Sequence, residues 1–199
     1  MPRPSLKAVR TQEILQAYEA CVARYGLEGA TQERIAEEAG VKRTLLRHYL
    51  GNRDDMIDAL IDHVIDKFDA GTTLLIEVLP EKNRIPPLLD ILYGHFGASD
   101  TNQVAAIQAL SAAADKYPKV RRAILQSMDR LVAAVENELR LAHPNALDDA
   151  RYHAVAFSVT HLYFSIDSCS GLNPPEPWWQ HARTSAELLI ASLEQSHDQ

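Results

Sequence analysis

Apolar residues along this chain recur at three- and four-residue spacings, the period of a helix with one buried face. Residues 7–25 show it first. Ile14, Tyr18, Cys21, Val22 and Tyr25 form a stripe, and Gly26 is a natural C-terminal stop. Thr31 then reads as an N-cap for a short helix whose inner face carries Ile35, Ala36 and Ala39 and which Gly40 ends. After Val41 a second short helix spans 42–49, so two helices joined through a glycine turn give the helix-turn-helix pattern. Leu50-Gly51-Asn52 breaks the chain before a long helix at 53–79. Its buried face carries Met56, Ile57, Leu60, Ile61, Val64 and Phe68, opposite an acidic face of Asp58, Asp62, Asp66 and Asp69. Asp54 and Asp55 in its first turn suit the partial positive charge of a helix N-terminus.

Pro80 stops that helix, and 80–87 reads as a linker. Further helices are expected at about 86–98, 101–116, 119–142, 146–170 and 177–195, punctuated by Gly97–Asp100, Pro118, His143–Asn145 and Gly171–Pro177. No period-2 alternation is present, so no strands are expected. The fold class is therefore all-α with about nine helices. Its expected division is a helix-turn-helix domain over 1–52 and a larger helical domain over 53–199, linked by the helix 53–79.

The net charge of −7 taken whole argues against a nucleic-acid partner, but its distribution points the other way. Residues 1–53 hold nine Lys/Arg and six acids, a local +3, leaving −10 on the rest of the chain. A basic head on an acidic body suits a protein that offers one end to phosphates. The apolar fraction of 46% and charged fraction of 24% are those of a soluble globular protein, and no uncharged run is long enough for a membrane span. The N-terminus lacks the apolar core of a secretory signal. Cys21 and Cys169 form no CxxC, so neither a disulfide framework nor a cysteine zinc site is expected, and a cytoplasmic location fits.

The stretch 10–56 carries a constellation in fixed order: a helix ending at Tyr25-Gly26, a loop to Thr31, Ile35-Ala36-Glu37-Glu38-Ala39-Gly40-Val41, then Leu46, His48 and Tyr49, then Asn52-Arg53. It resembles the DNA-binding domain of the tetracycline-repressor (TetR) family, over roughly the first quarter of the chain. The small Ala36 and Ala39 permit a close helix crossing, and Gly40 permits the turn that aims 42–49 outward into a major groove. Arg43, Thr44 and Leu45 are the candidates for base edges. Thr31, Lys42, Arg47, Tyr49 and Arg53 are cast as phosphate contacts, with His48 also on the outward face. Lys42 stands where family members usually carry a small hydroxyl residue, and Arg47 where an aromatic is usual. A helix cap is lost there and cationic contacts are gained.

The resemblance also implies that the C-terminal helices form a pocket for a small-molecule effector and that the last two pair with a second subunit. Candidate pocket residues are Tyr93, His95, Phe96, Gln108, Tyr117, Met128, Tyr163 and Phe164. Candidate dimer-seam residues are Phe157, His161, Phe164, Trp178, Ala182, Ala186, Leu189, Ile190 and Leu193. The implied function is a DNA-binding transcriptional regulator, a ligand-released repressor of a palindromic operator acting as a homodimer. An activator, or a helical protein-interaction module with the same fold, is the alternative. No GxSxG, HExxH or phosphate-cradling glycine loop occurs, so no enzyme and no cofactor are expected. His153 and His161, about 12 Å apart along one helix, are too distant to share an ion unaided, and no metal site is expected.

Overall fold

The computed structural model describes residues 5–94, 100–144 and 149–194. Among them are nine α-helices and no strand: α1 (Leu6–Gly29), α2 (Gln32–Glu38), α3 (Arg43–Leu50), α4 (Arg53–Glu77), α5 (Ile85–Tyr93), α6 (Thr101–Ala112), α7 (Pro118–Ala142), α8 (Asp149–Ser168) and α9 (Glu176–Ala191). Two compact units result. One comprises residues up to Lys67 with 100–125, and the other 68–99 with 126 onward. These packing units cut the chain differently from the functional boundary expected at residues 52 and 53. The first half of α4, α6 and the start of α7 pack with the helix-turn-helix because their apolar faces join its core.

That core runs through Ile14, Tyr18 and Val22 of α1, Ile35 of α2, Leu46 of α3, Ile57, Leu60, Ile61 and Val64 of α4, Leu110 of α6 and Val120 of α7. The second unit is built on Leu88, Leu89 and Leu92 of α5, Val135 and Leu139 of α7, Val155 and Val159 of α8, and Ala186 and Ile190 of α9.

Local sequence sets most of the boundaries. Ser5 caps α1 by accepting from the Ala8 N–H. Gly26, with φ 71°, interrupts the helical run at the expected stop. Asn52 and Asp55 make a reciprocal cap at the start of α4. The Asn52 carboxamide accepts from the Asp54 and Asp55 N–H groups, and the Asp55 carboxylate accepts from the Asn52 N–H at 2.9 Å. Three boundaries differ from expectation for a physical reason. The prolines expected in a linker, Pro86 and Pro87, lie in the first turn of α5, and Pro118 opens α7. A missing N–H costs nothing there, since first-turn donors have no intrahelical partner. α6 stops at Ala112 instead of 116, and the Tyr117 N–H closes a turn on the Ala113 carbonyl before Pro118.

Candidate nucleic-acid interface

The turn between α2 and α3 decides where α3 points. Gly40 has φ 61°, a left-handed conformation that a side chain disfavours. Its N–H donates to the Glu37 carbonyl at 3.1 Å, and the Val41 N–H donates to the Ala36 carbonyl at 2.9 Å. These are the two bonds of a Schellman ending, and they satisfy carbonyls that α2 would otherwise leave open. The chain is thereby redirected within two residues. Ala36 is buried, as a close crossing requires.

The eight residues of α3 divide cleanly. Leu46 and Leu50, one turn apart, are buried in the first unit's core, and Tyr49 is half-buried against it. Arg43, Thr44, Leu45, Arg47 and His48 are exposed, with Lys42 immediately before them. Lys42 occupies the N-cap position and makes no side-chain cap bond, as expected from a lysine in place of a hydroxyl residue. No hydrogen bond or ion pair to the side chain of Lys42, Thr44 or Arg47 is found among the described residues. Leu45 remains 40% exposed, an apolar group held out in solvent. The His48 and Tyr49 rings meet edge to face. The predicted reading face is thus assembled on one side of one helix.

Three predicted contacts are already engaged. Thr31 caps α2 by accepting from the Arg34 N–H at 3.4 Å, and is itself exposed. Arg53 donates to the Glu28 carboxylate at 2.9 Å and to the Leu27 carbonyl at 3.5 Å. Glu28 also receives Lys116 at 2.9 Å, and these two cations, the Lys116 bond foremost, hold its carboxyl below the usual range. Arg43 pairs with Glu33 at 2.5 Å, and its Nε–H donates to the Gln32 carboxamide oxygen at 3.2 Å. Sequence reasoning missed Gln32 and Glu33. Their separation from Arg43 has no periodic signature, because it is created by the turn.

The first unit also holds a polar cluster around a buried carboxylate. Glu19 of α1, only 3% exposed in its side chain, accepts from His63 of α4 at 2.9 Å and from Lys67 at 2.8 Å. Lys67 also reaches Asp100, which caps α6, at 2.7 Å. Burial alone would raise the Glu19 carboxyl, but the bonds from His63 and Lys67 outweigh it and hold the group below its ordinary range.

The expected pocket residues are distributed over the two units. Tyr93 is buried and its hydroxyl donates to the Val159 carbonyl at 2.6 Å. Phe164 meets Phe68 at 5.9 Å and Tyr163 at 5.5 Å between ring centres, and Met128 is half-buried in the same unit. Gln108 and Tyr117 belong to the first unit, where Tyr117 packs against the helix-turn-helix core. His95 and Phe96 lie outside the described residues. A cleft of about 750 Å³ in the second unit is lined instead by Arg84, Ile85, Leu89, Glu138, Leu141 and His143 among others, none of them predicted. Thr160 of α8 is fully buried with its hydroxyl unpartnered among the described residues.

At the α8–α9 face, Phe157 is 47% and Leu188 69% exposed, and with Ser158, His161, Leu162, Ser185, Leu189 and Ser192 they line an open groove. The Phe157 and His161 rings stack at 3.7 Å. Trp178 is exposed and Ala182 half-buried. Ala186, Ile190 and Leu193, expected in a seam, are instead buried in the chain's own core. The outward edge of α9 is one position over, at Ser185, Leu188 and Ser192. The two histidines of α8 are also engaged, His153 by Glu136 at 2.9 Å and His161 by the Phe157 carbonyl at 2.9 Å. No described helix is long and apolar enough to cross a membrane.

This arrangement is that of a helix-turn-helix protein: a short exposed helix, basic and polar outward, set by a tight glycine turn on an all-helical body. Comparison with known proteins narrows the class. No family model matches the chain. A helix-turn-helix transcriptional regulator, BetI of Serratia proteamaculans, is 27% identical over 105 residues, covering 53% of this chain and 53% of that relative. The match therefore spans about half the length of each. Among solved structures, a chain from Pseudomonas aeruginosa PAO1 assigned as a transcriptional regulator aligns with a TM-score of 0.77 at 23% identity, covering 94% of this chain and 90% of that one. A TetR transcription regulator from Haloarcula marismortui aligns with a TM-score of 0.71 at 19% identity, covering 92% and 97%. The chain thus has the fold of solved TetR-type regulators and, over about half its length, sequence similarity to helix-turn-helix transcriptional regulators.

Proposed function

We propose that this protein is a sequence-specific DNA-binding transcriptional regulator, not an enzyme, acting on cytoplasmic DNA as a dimer on a palindromic operator. The observation that carries the reading is α3, which turns Arg43, Thr44, Leu45, Arg47 and His48 outward, with Lys42 just before them, while Leu46 and Leu50 anchor its underside. An eight-residue helix is about 12 Å long, comparable to the width of a major groove. Arg43, Thr44 and Leu45 would meet base edges, with arginine suited to guanine and Leu45 to a thymine methyl. Lys42, Arg47 and His48 would contact phosphates and fix register.

The exposed apolar α8–α9 groove supports pairing with a second copy, since the same face on two copies can close a two-fold dimer. Two copies of α3 would then reach half-sites about one helical turn, roughly 34 Å, apart. The second unit offers features suited to a small-molecule effector of apolar or aromatic character. Thr160 and Phe164 share one face of α8 by their four-residue spacing, so an unsatisfied hydroxyl stands beside the Phe68–Phe164 pair. An effector releases the operator if the two ligands favour different arrangements of the same dimer.

The test is selection of genomic fragments by the purified protein at two salt concentrations. Enrichment of one palindrome that survives moderate salt is the expected result. Weak, sequence-independent retention lost as salt rises would overturn the reading.

A further inference from the structure

We propose that Glu33, acting with Gln32, is a positioning residue for Arg43 and sets its discrimination between bases. The inference rests on the reading of α3 as the base-contacting helix and adds to it a specificity device on α2.

An arginine carries about 2 kcal/mol of rotamer entropy, and a free one must lose much of it on docking to a base. Arg43 is not free here. Glu33 takes one terminal nitrogen at 2.5 Å, and the Gln32 carboxamide oxygen takes the Nε–H at 3.2 Å. Two of the five guanidinium N–H donors are thereby used, leaving enough for a bidentate contact to guanine. Gln32 is itself held from behind, since its NH₂ points at the Met56 sulfur at 3.7 Å and Met56 is buried in the core. The support thus runs from the packed interior through Gln32 to the guanidinium. Glu33 sits in the first turn of α2, where its own backbone N–H, ahead of Arg43 and the Thr31 hydroxyl, holds its carboxyl below the usual range and ionised at neutral pH.

The charge of Glu33 also distinguishes positioning from simple electrostatics. A carboxylate near the phosphates opposes every duplex equally, whatever its sequence. Orientation of Arg43, by contrast, benefits only the duplex that offers it the right base.

The experiment measures binding of the full chain to its selected operator, to every single-base-pair variant of it, and to random duplex. The unsubstituted protein is compared with Glu33→Gln, Gln32→Ala, Arg43→Ala and the double variant Glu33→Gln/Arg43→Ala. The expected result is that Glu33→Gln and Gln32→Ala each lower discrimination roughly 3- to 10-fold, a fraction of one bidentate contact. That loss is confined to the base pair at which Arg43→Ala loses discrimination, and Glu33→Gln adds nothing once Arg43 is gone. If Glu33→Gln strengthens binding to operator and random duplex alike with the ratio unchanged, the carboxylate acts only as a bulk charge and the proposal fails. Loss of discrimination spread over many base pairs also overturns it. No sequence preference in the unsubstituted protein would overturn the DNA reading itself, together with this inference.

Discussion

Replacing Glu19 by alanine is expected to destabilise the first unit by about 3 kcal/mol. The carboxylate is 3% exposed and accepts from His63, 8% exposed, and from Lys67, 35% exposed. Hydrogen bonds to ionised groups contribute about 1.5–3 kcal/mol each. The His63 bond counts nearly in full because both partners are buried. The Lys67 bond is discounted, since that ammonium is a third exposed and keeps Asp100 at 2.7 Å after the substitution. The sum of one full and one discounted bond is about 3 kcal/mol, near the lower end for breaking a buried ion pair. Glu19→Gln keeps an acceptor for one donor and is expected to lose about half as much. The assay is urea unfolding followed by circular dichroism, with free energies from linear extrapolation. The pH dependence fixes the cause. The folded-state carboxyl lies below its ordinary value, so its contribution is complete above the unfolded value of about 4.3 and is lost as pH falls through the folded one. The gap between the unsubstituted protein and Glu19→Gln should stay constant from pH 7 to about pH 5 and then shrink. A gap below about 1 kcal/mol at pH 7, or one that does not change on acidification, would refute the assignment.

Four further outcomes follow from the same structure. Arg43→Ala should lose about 1–3 kcal/mol of discrimination at one operator base pair, read from a panel of single-base variants. Arg47→Ala should weaken operator and random duplex alike and reduce the slope of log affinity against log salt by about 1, measured by titration at several salt concentrations. Gly40→Ala should cost about 1–2 kcal/mol of stability in a thermal melt, since φ 61° disfavours a Cβ although nothing lies within 4 Å of one. Thr160→Val keeps the side-chain shape and removes a buried hydroxyl without a partner, so it should stabilise the free protein by about 1 kcal/mol. Loss of stability in that variant would mean the hydroxyl is satisfied in solution.

Much of the helix-turn-helix is legible in the sequence because its determinants are local. Gly26 and Gly40 end helices where only a left-handed conformation closes the backbone, and the spacing of Leu46 and Leu50 fixes which side of α3 is buried, leaving the rest outward. Periodicity likewise places α4 and its Met56–Val64 stripe, since one helix repeat determines which residues share a face. What periodicity cannot decide is which of two adjacent apolar stripes faces the chain's own core. On α9, Ala186, Ile190 and Leu193 are taken by that core, and the large apolar residue left exposed is Leu188. Packing against α5 and α8 makes that choice. Tertiary structure alone also converts Glu19, which in sequence is one of six acids in a basic head, into a buried acceptor for residues 44 and 48 positions away. It brings Gln32 and Glu33 onto Arg43 in the same way. These contacts depend on how separate helices meet, and the pattern within any one helix carries no record of its neighbours' charges.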